Sequence, residues 1–203
     1  MMSNKVDQAP HDDVTVISRC QKGDTEAFGV LVERYQKKMF NIAFRMTGDF
    51  EEAGEVVQEA FLSAFKAIKK FRGESTFATW MTSIVLNHAK NCLKKIKTIS
   101  HHEPMSLDDL SEDHDSTPRF DPPAGGMSTL EQLEKKDVQE TVQKAINSLD
   151  AEFREALILK DIQELSYEEI GTILNIPEGT VKSRIFRARE ALRERLKRNL
   201  GDW

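Results

Sequence analysis

From Thr180 onward the chain repeats hydroxyl and guanidinium side chains at helical spacing, a chemistry suited to phosphates and the edges of bases. At about 100° per residue, three stripes separate. Thr180, Ser183, Arg184 and Arg187 form one that is expected to face outward. Lys182, Phe186, Arg189 and Arg193 form a largely basic flank, and Val181, Ile185, Ala188 and Leu192 an apolar face. Arginine can fork onto guanine, while lysine, serine and threonine suit phosphates or base edges. Arg184 is the expected base reader and Lys182 the expected phosphate partner.

A second set begins at Phe71-Arg72-Gly73-Glu74-Ser75 and continues through Phe77, Trp80, Asn87, Lys90, Asn91, Lys94 and Lys95. The pattern alone reads this set as a loop and the helix behind it, with cationic and amide side chains among the aromatics. Phe77 and Trp80 fit a core position as well as a stacking platform. A third set, Glu55, Gln58, Glu59 and Phe61, reads from periodicity alone as a solvated polar face beside a core phenylalanine. The chain has no phosphate-binding loop, metal-ligand spacing or nucleophile–base pair. No catalytic residue, metal or cofactor is expected.

These residues need helices to position them. The pattern predicts helices over about 12–22, 24–47, 50–69 and 76–97, with Asp24 and Asp49 as N-caps. Val30, Leu31, Arg34 and Tyr35 share one side of the second, and Val57, Phe61, Ala64 and Ile68 form the expected core stripe of the third. Residues 99–128 hold four of the six prolines and an acidic run, and predict a flexible tether. His101-His102-Glu103 would have no fixed support there as a metal site.

Helical periodicity resumes at Thr129. Ser166-Tyr167-Glu168-Glu169 reads as a capping box opening a short helix that buries Ile170, Ile173 and Leu174. Pro177 then marks the start of the basic helix. A short helix, a tight turn and a basic second helix describe a helix-turn-helix, here built on Tyr167, Glu168, Ile170, Leu174, Pro177, Val181 and Ile185. The expected fold is all-α: a four-helix N-terminal domain (12–98), an acidic linker (99–128) and a four-helix C-terminal domain (129–200).

Composition agrees. Charged residues are 31% and aromatics 7% of 203 residues. The net charge of −5 hides an uneven distribution: residues 101–137 carry 3 Lys/Arg against 10 Asp/Glu, whereas Lys182–Arg198 carries 8 against 2. The local run matters for nucleic acid, whatever the total. No membrane span or signal peptide is evident, so the cytoplasm is the default compartment. Cys20 and Cys92 lack CxxC spacing and read as reduced thiols.

The run Val56-Val57-Gln58-Glu59-Ala60-Phe61, with FRGESTFATW (71–80), resembles the first domain of extracytoplasmic-function sigma factors. LSYEEIGTILNIPEGTVKSRIFRARE (165–190) resembles their second, and the two stand in the family's order. The resemblance covers about residues 12–98 and 130–198. It implies binding to the clamp and flap regions of core RNA polymerase, with Glu55, Gln58, Glu59 and Phe61 toward the clamp. It implies capture of the single-stranded −10 element by Phe71, Arg72, Gly73, Glu74, Ser75, Asn87, Lys90 and Asn91. Thr180, Lys182, Ser183, Arg184, Phe186 and Arg187 would meet the −35 duplex, and an anti-sigma factor would regulate the chain. The sequence departs from the family where Asn91, Cys92 and Lys94-Lys95 replace the usual acidic residue and arginine, and where Glu55 replaces aspartate. A dimeric duplex-binding regulator, a degenerate polymerase-binding protein and an enzyme are the rival readings. The first has no use for the FRGES loop, and Arg184 and Arg187 argue against the second.

Overall fold

The computed structural model describes residues 9–102 and 129–200, and all their regular structure is helical. Helices α1 (Ala9–Gln21), α2 (Thr25–Thr47), α3 (Phe50–Ala67) and α4 (Phe77–His102) form the first group; a 3₁₀ turn, Ile68–Lys70, closes α3. Helices α5 (Thr129–Asn147), α6 (Ala151–Leu157), α7 (Tyr167–Leu174) and α8 (Glu178–Leu200) form the second. A π turn, Ile158–Ile162, extends α6. Helix α4 runs past residue 97, where the sequence pattern ends it.

The expected caps are present. Asp24 accepts from the Ala27 amide at 3.1 Å, and Asp49 from that of Glu52 at 2.8 Å. Both satisfy donors that a helix start leaves free. Ser166 and Glu169 bond reciprocally as a capping box, and the Ser166 bonds hold the Glu169 carboxyl below its usual pKa. The Pro177 carbonyl accepts from the Val181 amide, so Pro177 caps α8 rather than occupying its first turn. Gly48 ends α2 at φ 79°, in the left-handed region that favours glycine.

Leu31, Met39, Ile42, Met46, Met81 and Leu86 fill the first core, while Ala53, Ala60 and Ala64 let α3 approach its neighbours. Two sequence expectations shift here. Val30 is exposed, with Leu31 carrying that contact, and Val57 lies at the edge of the core stripe, which runs through Ala53, Val56, Ala60 and Ala64. Helix α1 is fastened by Asp13, which accepts from Arg34 and Tyr35. Gln21 pins the turn after α3 by donating to the Phe71 carbonyl at 2.8 Å.

In the second group, Ile158, Leu159, Ile170, Val181 and Ile185 are buried, and Leu174 packs on them half-buried. Apolar packing is continuous between the groups: α5 lies against α2, and α7 against α4. The sequence pattern contains no sign of this contact.

Candidate nucleic-acid interface

Three faces hold the expected site residues. On α8, Ser183 and Arg187 are exposed and Thr180 is half-buried. Lys182 is exposed, 2.6 Å from Glu178 and over the Tyr167 ring, and the Glu178 carboxylate raises its pKa. Phe186 is 67% exposed.

Arg184 does not join the outward stripe. Its side chain is 21% exposed and turns toward α6, reaching Glu152 at 2.6 Å and Glu155 at 3.4 Å. A helical wheel cannot foresee this, because both carboxylates come from another helix. Arg189 is likewise engaged, gripping Asp161 with two nitrogens. Arg187 is the guanidinium on the outer stripe with the open face.

The FRGES loop is exposed at Arg72, Gly73 and Glu74, with Ser75 half-buried. Arg72 and Glu74 lie 3.8 Å apart. Gly73 adopts φ 73°, and a Cβ there would meet nothing; the backbone conformation, not crowding, calls for glycine. Phe77 is 2% exposed, which settles it as core. Phe71 and Trp80 are half-buried, with ring centroids 4.9 Å apart and tilted, so each supports the other and keeps some surface open. Asn87 and Asn91 are exposed on α4, with Lys94 and Lys95 beyond. Lys90 departs from expectation: its ammonium is 3.0 Å from Glu155, on α6 of the second group.

Glu55, Gln58 and Glu59 are exposed on α3. Glu59 lies 3.2 Å from His88 Nδ1, and His88 Nε2 is 3.0 Å from the Ser63 hydroxyl, so α4 holds this carboxylate from behind. Phe61 is buried edge-on against Phe28, a core residue rather than a projecting anchor. The apolar surface is instead a groove of about 680 Å³ between α2 and α3, walled by Val32, Phe40, Val57, Leu62 and Phe65, with Phe61 among its lining residues. Leu62 is 53% exposed and Phe65 also faces solvent. The sequence reading missed these two. The signal was present: the apolar positions of α3 exceed one stripe, and Val57, Phe61, Leu62 and Phe65 make a second.

The cysteines are free. Cys20 is buried, and burial raises its pKa. Cys92 donates to Glu52 at 2.7 Å, and burial followed by that carboxylate pushes its thiol up to about 12. A thiol held protonated is a poor redox nucleophile. Among the described residues no cluster of three or more His, Cys, Asp or Glu is placed to hold a metal, and no helix is long and apolar enough to cross a membrane. Glu103 and most of the acidic tether lie outside the described residues, as do the side chains of His101 and His102.

Two family profiles match: sigma-70 region 2 over residues 31–98, and sigma-70 region 4 over residues 139–192. The chain is 38% identical to the RNA polymerase sigma-H factor of Pseudomonas aeruginosa, covering 89% of this chain and 91% of that one. It is 39% identical to the ECF RNA polymerase sigma-E factor of Escherichia coli K12, covering 89% and 92%. Two solved structures share the fold at a TM-score of 0.64. One is CnrH in complex with the cytosolic domain of CnrY, at 22% identity over 91% of this chain and 97% of that one. The other is the sigma factor RpoE with the anti-sigma factor NepR from Bartonella quintana, at 23% identity over 85% and 98%.

Proposed function

Because the chain belongs to the sigma-70 family, in its extracytoplasmic-function group, we propose that its three faces divide the work of promoter-directed initiation among them. The chain binds core RNA polymerase and directs promoter-specific transcription initiation, recognising −35 duplex and −10 single-stranded DNA. It is not an enzyme; binding energy offsets the few kcal/mol that base unpairing costs (~2–4). Its place of work is the cytoplasm, with the polymerase. The observation that carries the reading is the helix-turn-helix with its exposed Ser183 and Arg187, on the same chain as the exposed FRGES loop and α3 face.

The α2–α3 groove and the polar ridge of Glu55, Gln58 and Glu59 form the polymerase-docking face. Leu62 and Phe65 supply the apolar contact, and Phe61 supports them from beneath. The FRGES loop, Phe71, Asn87 and Asn91 take the −10 strand, with Lys90 as a phosphate partner. Thr180, Lys182, Ser183, Phe186 and Arg187 face the −35 duplex, while Arg184 braces α8 on α6. An anti-sigma factor fits the same faces, and the fold shared with two proteins solved in complexes supports that regulation. Run-off transcription with purified core polymerase tests the whole reading. Promoter-specific product should appear only when the chain is added, and no template from its own genome giving product would end it.

Two local predictions follow from these assignments. Leu62→Glu should weaken association with core polymerase by at least tenfold, because it sets a charge where an apolar contact is buried. Leu62 already faces solvent in the free chain, so thermal stability should barely move. Unchanged affinity in a titration of labelled protein would remove the groove from the interface. Asn87→Ala should slow promoter melting while −35 binding stays intact, since Asn87 is exposed on α4 and far in sequence from α8. Permanganate reactivity of promoter thymines reports the melting step; normal reactivity on several promoters would acquit Asn87.

A further inference from the structure

We propose that His88 is a positioning residue for polymerase binding: it holds the Glu59 carboxylate in the orientation that core polymerase receives. The inference deepens the docking role proposed for the α3 ridge and rests on it.

Glu59 and Ser63 stand one turn apart on α3, and His88 of α4 bonds both. Its Nδ1 is 3.2 Å from Glu59 Oε2, and its Nε2 is 3.0 Å from the Ser63 hydroxyl. An ionised carboxylate only accepts, so the Nδ1 edge carries the hydrogen. Ser63 donates to Nε2 when the ring is neutral and accepts from it when the ring is charged. Either way both ring nitrogens are engaged, and a ring fixed at both cannot turn away from Glu59.

The three residues differ in depth. Ser63 and His88 are half-buried, and the His88 side chain is 25% exposed against 59% for Glu59. The network therefore starts in the packed seam between α3 and α4 and ends at the surface. Of the three ridge residues Glu59 alone is held so: among the described residues, the side chains of Glu55 and Gln58 make no hydrogen bond. His88 engages Oε2 only. A carboxylate offers about four acceptor sites, so a polymerase donor can be taken at Oε1 without breaking the network.

Folding stability gives little reason for such a pair, since exposed ion pairs contribute almost nothing to it. What the pair does is remove rotamers from a long, flexible side chain. Ordering such a side chain at an interface costs affinity, and a group ordered beforehand avoids that cost. Carboxylate, imidazole and hydroxyl also stand in the order of a hydrolytic triad. Ser63, however, lies inside α3, where the neighbouring amides are spent in the helix and none remains to stabilise an oxyanion. The network orients a carboxylate and performs no covalent step.

The chemistry of the two ring nitrogens makes the test specific. Asparagine can place its amide nitrogen where Nδ1 stands, two bonds beyond Cβ, and still donate to Glu59. Leucine fills the space without a donor. Labelled full-length chains are titrated with core polymerase: the parent, Glu59→Ala, His88→Leu, His88→Asn, and Glu59→Ala with His88→Leu. Circular dichroism and thermal unfolding verify that each is folded. His88→Leu should weaken association about threefold to tenfold, the cost of ordering one flexible side chain. His88→Asn should recover most of that loss, and Glu59→Ala should lose at least as much as His88→Leu. In the Glu59→Ala background His88→Leu should add nothing, because the residue it acts through is gone. Equal losses from His88→Leu in both backgrounds would assign the effect to packing and overturn the proposal. Parental affinity in a folded His88→Leu, or a His88→Asn as weak as the leucine variant, would overturn it too, with Glu59→Ala still binding poorly. If His88→Leu does not fold, His88→Ala takes its place under the same readings. Parental affinity in Glu59→Ala would instead remove Glu59 from the docking face, and the inference with it.

Discussion

Arg154→Ala will destabilise the chain by about 3–5 kcal/mol, since several buried carbonyls lose a charged donor at about 1–3 kcal/mol each. Arg154 is buried in α6 and donates to three main-chain carbonyls. One is Leu149, at 3.0 Å; the others are Asn147 at the end of α5 and Met46 near the end of α2. The last carbonyls of a helix have no partner within it, and here one guanidinium serves the ends of two helices at once. Alanine leaves these acceptors in a space too dry to satisfy them and opens a cavity along the lost stem. Arg154→Met should recover part of the loss by filling the volume, without restoring the bonds. Urea unfolding of both variants would show this as a lowered midpoint at similar slope, with methionine between alanine and the parent. A loss below about 1 kcal/mol for alanine would mean that water or a rearranged α5–α6 turn replaces the arginine at no great cost.

Arg187→Ala will alter which −35 sequences are preferred, whereas Lys182→Ala will weaken all of them alike. Arg187 is exposed on the outer stripe of α8 with Ser183 beside it, free to fork onto a guanine edge. Losing such a contact costs ~1–3 kcal/mol, roughly fivefold to 150-fold, at a single position. Lys182 is a point charge on the flank, already neighboured by Glu178, and suits a phosphate. Its loss should lower the salt dependence of binding by about one counterion. Binding of the polymerase-bound chain to single-base −35 variants at two salt concentrations separates the two behaviours. A uniform loss for Arg187→Ala would make it a backbone contact. The same series with Arg184→Ala should show a general loss from a poorly braced helix, since Arg184 is held by Glu152 and Glu155.

The face proposed to dock on polymerase shows how far a sequence pattern carries. Glu55, Gln58 and Glu59 were legible as an exposed polar ridge because carboxylates and amides rarely enter a core unpaired. Phe61 was ambiguous, and packing against Phe28 turned it inward. Leu62 and Phe65 escaped notice because one apolar stripe already accounted for the burial of α3, and the groove exists only once α2 lies beside it.

Local chemistry, by itself, determined the helices and their order. Asp24, Asp49, Ser166 and Glu169 act within three residues of themselves, and helical periodicity needs only one strand of chain, so both were readable. The helix-turn-helix followed for the same reason, and so did the outward faces of Ser183 and Arg187. Tertiary structure alone decided the pairings between distant charges. Arg184 turned inward because Glu152 and Glu155 lie on α6, and Lys90 was captured because that same Glu155 stands across the contact between the groups. Gly48 reads in sequence as a helix terminator, yet in the fold it also makes room for Asn147. A single sequence records which side chains can bond, but their partners depend on how whole helices pack, and that is set by burial summed over both groups.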